Sequence, residues 1–243
     1  MKNLKKVLSL VLALAMALSL MTVAFAKDAS DYTDYGTITN KEAVDVLTAL
    51  NVIDGMGNNT FQPTGNVTRA QMAKMITIIC LGNVDPTAFL GTQTDLKDIN
   101  GHWAEAYIKY CYSQGIIAGK GNGIFSPNAN VTTAEAAKML LVALGYDPAI
   151  EQYVGNDWAI NTNAKASALG IFRNFNKNVM LPLNRDDAAL LIYNALDVEM
   201  IQSYTTNNYP IVYSDHRTIL SDKYGVIKVQ GVVVANEWAS LAS

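Results

Sequence analysis

The chain has 243 residues, 50% of them hydrophobic and 16% charged, which suffices for a buried core and excludes a wholly disordered protein. Residues 1–26 read as a secretory signal, with Lys2, Lys5 and Lys6 ahead of an apolar run from Val7 to Val23 and a small-residue exit at Ala24-Phe25-Ala26; an uncleaved membrane anchor is the competing reading. Without that segment 15 basic residues face 21 acidic ones, a net charge of −6, which argues against nucleic acid and against a polybasic membrane surface as partners.

Sliding the chain on itself by 64 residues reveals a repeat. The segment Val52 to Pro63 then lies over Ile116 to Pro127, and Asn66 to Met75 lies over Asn130 to Met139, with roughly half the positions identical and no gap. The same shift pairs Asp34 with Asp98. A third, divergent copy follows at a shift of 55, where Trp158-Ala159 matches Trp103-Ala104, Gly170-Ile171 matches Gly115-Ile116 and Pro182 matches Pro127. Residues 31–90, 91–146 and 147–197 are therefore read as three units.

Each unit is expected to carry two short helices. In the second unit an amphipathic helix is predicted over His102 to Ser113, with Trp103, Tyr107, Ile108 and Cys111 on one face. Asn40, and Asn100 or Gly101, are the expected caps, and Gly115 supplies the left-handed stop. A Gly/Asn-rich turn leads into Phe-x-Pro, read as an extended link because proline disfavours the helical region for its predecessor. Thr68 and Thr132 then cap a second helix, with Glu135 completing a capping box. Its apolar face is Met72, Met75, Ile76 and Ile79 in the first unit, Ala136, Met139, Leu140 and Ala143 in the second, and Leu190, Leu191 and Leu196 in the third. Cys80 and Cys111 lie in apolar helical segments and are read as buried thiols, with a single disulfide as the alternative.

After Asp197 the character changes. Ser203 to Pro210 reads as a polar linker, and Val226 to Ala235 as one or two β-branched strands. Strands so few form no stable sheet alone. Residues 198–243 are thus expected to dock on the helices or to begin a further domain, with an exposed edge open to pairing.

The order Leu96-x-Asp98, Trp103-Ala104, Gly115-Ile116-Ile117-Ala118-Gly119, Phe125-Ser126-Pro127 and Thr132-Thr133-Ala134-Glu135 resembles the S-layer homology (SLH) domain, over about residues 31–197. The resemblance implies a mainly α fold, a pseudo-threefold helical bundle of three SLH repeats with grooves between them and a short β-rich tail. It also implies a partner, secondary cell-wall polysaccharide carrying a pyruvylated, hence anionic, sugar. Carried over position by position, its ligand contacts are Arg69 and Arg185, Asp34 and Asp98, Trp103 and Trp158, and Gly55 and Gly119. The chemistry suits that partner, since an Arg fork matches a carboxylate bidentately, a Trp face suits a sugar ring, glycine admits a ligand to the backbone, and a helix N-terminus offers N–H groups to an anion. Thr133 replaces the arginine in the second unit, Thr39 the tryptophan in the first, and Tyr153 and Asn174 the aspartate and second glycine in the third. One or two working grooves are expected.

Plainer readings stand beside these. Trp103 and Trp158 can be core anchors, Arg185 an ion-pair partner of Asp186 and Asp187, and Asp34 and Asp98 turn caps. Gly119 to Gly123 lacks the ending of a phosphate loop, and Asp54 to Asn59 the terminal Glu of a calcium loop, so no cofactor or metal is expected. His102 and His216 are isolated, and no catalytic motif appears. The leading expectation is a non-catalytic, secreted protein held to the bacterial cell wall. The alternatives are a surface-layer assembly protein acting through its tail or through self-association, and a fragment of an exported enzyme.

Overall fold

The computed structural model describes residues 28–82 and 85–226. The signal segment and residues 227–235 of the strand reading lie outside them. Six helices form the body: α1 (Lys41–Ala49), α2 (Arg69–Leu81), α3 (Glu105–Ser113), α4 (Thr133–Ala143), α5 (Trp158–Ala168) and α6 (Arg185–Leu196). A hairpin, β1 (Ile201–Tyr204) and β2 (Pro210–Val212), and a short helix α7 (Ile219–Tyr224) follow. The mainly α architecture agrees with the expectation.

The second helices start where the sequence indicates. Thr68 accepts from Gln71 N–H and Thr132 from Glu135 N–H, and both capping boxes are closed reciprocally. Asn184 caps α6 by accepting from Asp187 N–H. Gly115 sits just past α3 at φ +69°, as a left-handed stop requires.

Three local expectations are corrected. Helix α3 begins at Glu105 with Ala104 as its cap, so Asn100 and Gly101 cap nothing and Trp103 precedes the helix. Trp103 is 57% exposed and is no core anchor. The Phe-x-Pro link is not extended, because Gln62 and Ser126 hold φ of +57° and +61°. Proline excludes the right-handed region for these residues, and the two aspartates described below hold the alternative.

The units do not fold as separate hairpins. Helix α2 packs on α3, α4 on α5 and α6 on α1, so each second helix pairs with the first helix of the next unit and the last pairs with the first. At the centre three backbone hydrogen bonds close a ring: Val67 N–H to Leu183 C=O, Leu183 N–H to Val131 C=O, and Val131 N–H to Val67 C=O, each 2.9 Å. These residues are fully buried among Met72, Ile76, Leu140 and Leu191. The ring is closed at its rim by Asp186, whose carboxylate accepts from Thr39 N–H (3.1 Å) and Asn40 N–H (3.0 Å) at the start of α1. A side-chain anion from α6 thereby caps α1, whose own Asn40 side chain makes no cap bond.

The described tail docks on the bundle. Ile201 is buried and donates to Leu144 C=O, while Ile219 and Leu220 are buried and Tyr224 O–H donates to Ile78 C=O. Ser203 and Tyr204 belong to β1 rather than to a linker, and α7 escaped the sequence reading. Both cysteines are unpaired, Cys111 buried and Cys80 partly so. Burial pushes the thiols up, to about 11 for Cys80 and about 12 for Cys111, which keeps them as inert thiols.

Replacing Asp186 with Ala leaves two helix-start N–H groups without an acceptor, and is expected to cost about 1–3 kcal/mol. Urea unfolding of the full chain measures this; an unchanged midpoint would show that α1 closes onto α6 without that carboxylate.

Candidate functional site

The ring geometry decides where the candidate residues emerge. Arg69 and Arg185 are the first residues of α2 and α6. Their backbone N–H groups, and those of Ala70 and Asp186, donate to Ala129, Gly65, Pro127 and Pro63 C=O of the adjoining unit. Gln71 and Asp187 N–H bond the cap side chains. The helix starts are thus already satisfied, and the expectation of free N–H groups for an anion fails there. What reaches the boundary is the guanidinium.

Arg69 is only 7% exposed. It donates through Nε to Phe125 C=O (2.9 Å), through Nη1 to Glu135 (3.0 Å) and through Nη2 to Ala118 C=O (3.3 Å), and lies 4.5 Å from the Phe125 ring centroid. Burial pulls its pKa down and the charges of Glu135 and Asp98 oppose this; a guanidinium remains charged regardless. Arg185 repeats the arrangement, donating to Phe61 C=O and Asp54 C=O, both 2.7 Å, above the Phe61 ring. The ion pair with Asp186 or Asp187 does not form, because Asp186 caps α1 and Asp187 pairs with Lys177.

Asp34 and Asp98 hold the same peptides from the other side. Asp98 accepts from Phe125 N–H (2.8 Å) and Ser126 N–H (2.7 Å), and Asp34 from Phe61 and Gln62 N–H, both 2.7 Å. For each carboxyl, burial raises the pKa, but the two N–H donors and the nearby arginine together outweigh it and leave the value below 3.8. Both carboxylates thus fix the positive-φ residue of Phe-x-Pro. Gly55 and Gly119 are likewise demanded by their own turns. A Cβ on Gly119 would stand 3.0 Å from Ile124 O and 3.1 Å from Leu96, and one on Gly55 2.9 Å from both Thr60 O and Tyr32.

Three open boundaries result. Boundary A is a 310 Å³ cavity lined by Arg69 of the first unit, Gly119 and Lys138 of the second, and Trp158 of the third. Boundary B, of 130 Å³, brings together Arg185 of the third unit, Gly55 and Lys74 of the first, and Trp103 of the second. Sequence reasoning looked for the set within one unit or two neighbours, whereas each boundary takes its arginine, glycine and tryptophan from three. Boundary C is a 620 Å³ cleft that presents Thr39, Asn174 and Leu190 at the corresponding places. There Asn194 donates to Arg173 C=O (2.9 Å), the turn carbonyl matching the one that Arg69 and Arg185 hold elsewhere. Thr133, which stands for the arginine, is buried. Lys74 and Lys138, on the inner wall of B and A, were missed; their repeat at the 64-residue shift was the available signal.

The S-layer homology domain pattern matches residues 31–73 and 95–137. The chain is an S-layer homology domain protein. Among its relatives, a cell surface protein of Thermoanaerobacter kivui is 34% identical over 83% of this chain and 26% of its own length. An exoglucanase, XynX, of Acetivibrio thermocellus is 31% identical over 65% of this chain and 15% of its own. A cellulosome-anchoring protein of Acetivibrio thermocellus is 32% identical over 44% of this chain and 24% of its own. The chain therefore spans about a quarter or less of these relatives. The third unit, outside the matched residues, carries the same helix–turn–helix layout in α5 and α6. This SLH chain is a protein of the bacterial cell surface, and no described helix is long and apolar enough to cross a membrane.

The lowered carboxyl values make a pH prediction. A carboxylate whose folded pKa is depressed contributes stability that is present above the unfolded value, near 3.8, and is lost as pH falls through the folded value. Thermal unfolding is expected to drop between pH 4 and pH 2, and Asp98→Asn to flatten that drop. The same pH slope in the variant would remove Asp98 as a contributor.

Proposed function

We propose that this chain anchors non-covalently to the bacterial cell wall by holding an anionic, pyruvylated secondary wall polysaccharide at boundaries A and B. The observation that supports this most directly is the meeting of a fixed guanidinium, a tryptophan face and an open cavity at each of the two, drawn from three units. Arg69 spends three of its five N–H donors on the protein and Arg185 two. The remaining donors are held in place before any ligand arrives, which lowers the ordering cost of binding. A ketal carboxylate accepts from them while its sugar ring lies on Trp158 or on the exposed Trp103. An anchoring role agrees with the relative named as a cellulosome-anchoring protein. The exoglucanase match covers only 15% of that protein, so this chain is read as a binding module with no catalytic role.

A second reading, surface-layer assembly through the tail, draws on one observation. Tyr209, Ile211 and Val212 of the hairpin are exposed, and β2 is a sheet edge.

Arg69→Lys and Arg185→Lys keep the charge and lose the fork. With purified cell walls, each single variant of the full chain is expected to sediment less than wild type. The double variant is expected to lose about tenfold in affinity, with circular dichroism confirming the fold. Equal sedimentation of wild type and double variant overturns the fork, and undiminished binding to walls stripped of polysaccharide favours the second reading.

A further inference from the structure

Boundaries A and B are related by the repeat, yet their charges differ at three matching positions: Ala118 at A stands for Asp54 at B, Lys120 for Met56, and Glu135, which pairs with Arg69, for Gln71. Lys138 lines A and Lys74 lines B, at matching positions of α4 and α2. Lys74 Nζ pairs with Asp54 at 2.8 Å. The position matching Asp54 is Ala118, and among the described residues no carboxylate pairs with Lys138. Its Nζ instead donates to Tyr153 C=O at 2.6 Å and lies 5.7 Å from the Trp158 ring centroid. The ammonium is half-buried, held in place and directly beside the tryptophan face. Burial lowers its pKa, and a nearby anion reverses that shift on binding. Boundary A thus presents Arg69, Lys120 and Lys138 against Glu135, and boundary B presents Arg185 and Lys74 against Asp54.

Resting on the glycan reading above, we infer that the two boundaries are unequal, and that Lys138, unneutralised at A, is the residue that makes A the stronger site for an acidic sugar. At B an incoming carboxylate competes with Asp54 for Lys74. At A, among the described residues, the ammonium donates a hydrogen bond to a neutral carbonyl alone, which leaves two of its three donors for the ligand. Position 118 is exposed, so the difference can be exchanged without touching the core.

The test is calorimetric titration of the full chain with the methyl glycoside of a pyruvylated N-acetylhexosamine. The wild type is expected to show a tighter and a weaker class of site. Lys138→Met and Ala118→Asp are each expected to weaken the tighter class about fivefold. Lys74→Met should leave that class unchanged, and Asp54→Ala should strengthen the weaker one. Ala118→Asp keeps Arg69, Lys138 and Trp158 in place, so its effect does not depend on loss of a lysine stem. A wild-type isotherm that persists unchanged in Lys138→Met and Ala118→Asp overturns this inference and leaves the glycan reading standing. A wild type that binds no glycoside overturns both.

Discussion

Three backbone hydrogen bonds, linking Val67, Leu183 and Val131 in a closed cycle, set the rest of the structure. Each of these residues lies just before a second helix, so the cycle fixes the three helix starts around one axis. The first N–H groups of α2 and α6 are directed into carbonyls of the neighbouring unit, at Ala129 and Pro127 and at Gly65 and Pro63. Those N–H groups are unpaired in any isolated helix. Here the neighbour satisfies them, and burial of the cycle makes the pairing obligatory. Helices of nine to thirteen residues are marginal alone; the packing of α6 on α1 carries the cycle into a closed body with no terminal unit left uncapped.

The same constraint explains how the arginines come to hold the scaffold at the boundaries where recognition is proposed. With its backbone fixed against the adjoining unit, the first residue of the helix projects along the boundary between units. Its guanidinium meets the carbonyls of a Phe-x-Pro segment and of a glycine turn, both of which need donors. Boundary C shows that the scaffold role is separable, because Asn194 satisfies the Arg173 carbonyl from within its own unit. Thr133 can then take the arginine's place without leaving that carbonyl unpaired. On the proposed reading, loss of the guanidinium at C removes recognition chemistry while the Arg173 carbonyl keeps its donor. At A and B the scaffold contacts and the proposed recognition are tied to one side chain.

Sequence periodicity exposed the units, the second-helix caps and the apolar faces, because those rest on local chemistry: Thr68 and Gln71, or Thr132 and Glu135, are three residues apart. It named the arginine, glycine and tryptophan positions through the resemblance, but not how they combine. Arg69, Gly119 and Trp158 meet only because each second helix pairs with the next unit's first helix, and no spacing along the chain encodes that pairing. Asp186 capping α1 across 146 residues was illegible for the same reason. The positive φ of Gln62 and Ser126 was missed by reading Pro63 and Pro127 alone. The aspartates that favour this geometry lie 28 residues away. The hairpin was taken for a linker because Ser203 to Asn208 is polar, although Ile201 on its buried side anchors it against Gly145, where a Cβ would stand 2.8 Å from Ile201 O.

For the proposed function, an acidic chain gripping an acidic polymer, positive charge must be local and already ordered before binding. Both conditions follow from the boundaries. The guanidinium groups are confined by two or three hydrogen bonds and an aromatic face, so little side-chain freedom remains to be lost on binding. Their surroundings are partly desolvated, which strengthens a short-range contact, while the charges on the outer surface are screened beyond about 8 Å at physiological ionic strength. On the proposed reading, the net negative charge therefore bears on solubility and on approach, whereas Arg69 and Arg185 govern contact. On the same reading, a polymer that presents a carboxylate on each repeating sugar gains from two such boundaries wherever one stretch of it spans both. Linked occupancy of that kind raises retention well above that of either contact, which is how the proposed sites, individually modest, would hold a protein at the wall without a covalent bond.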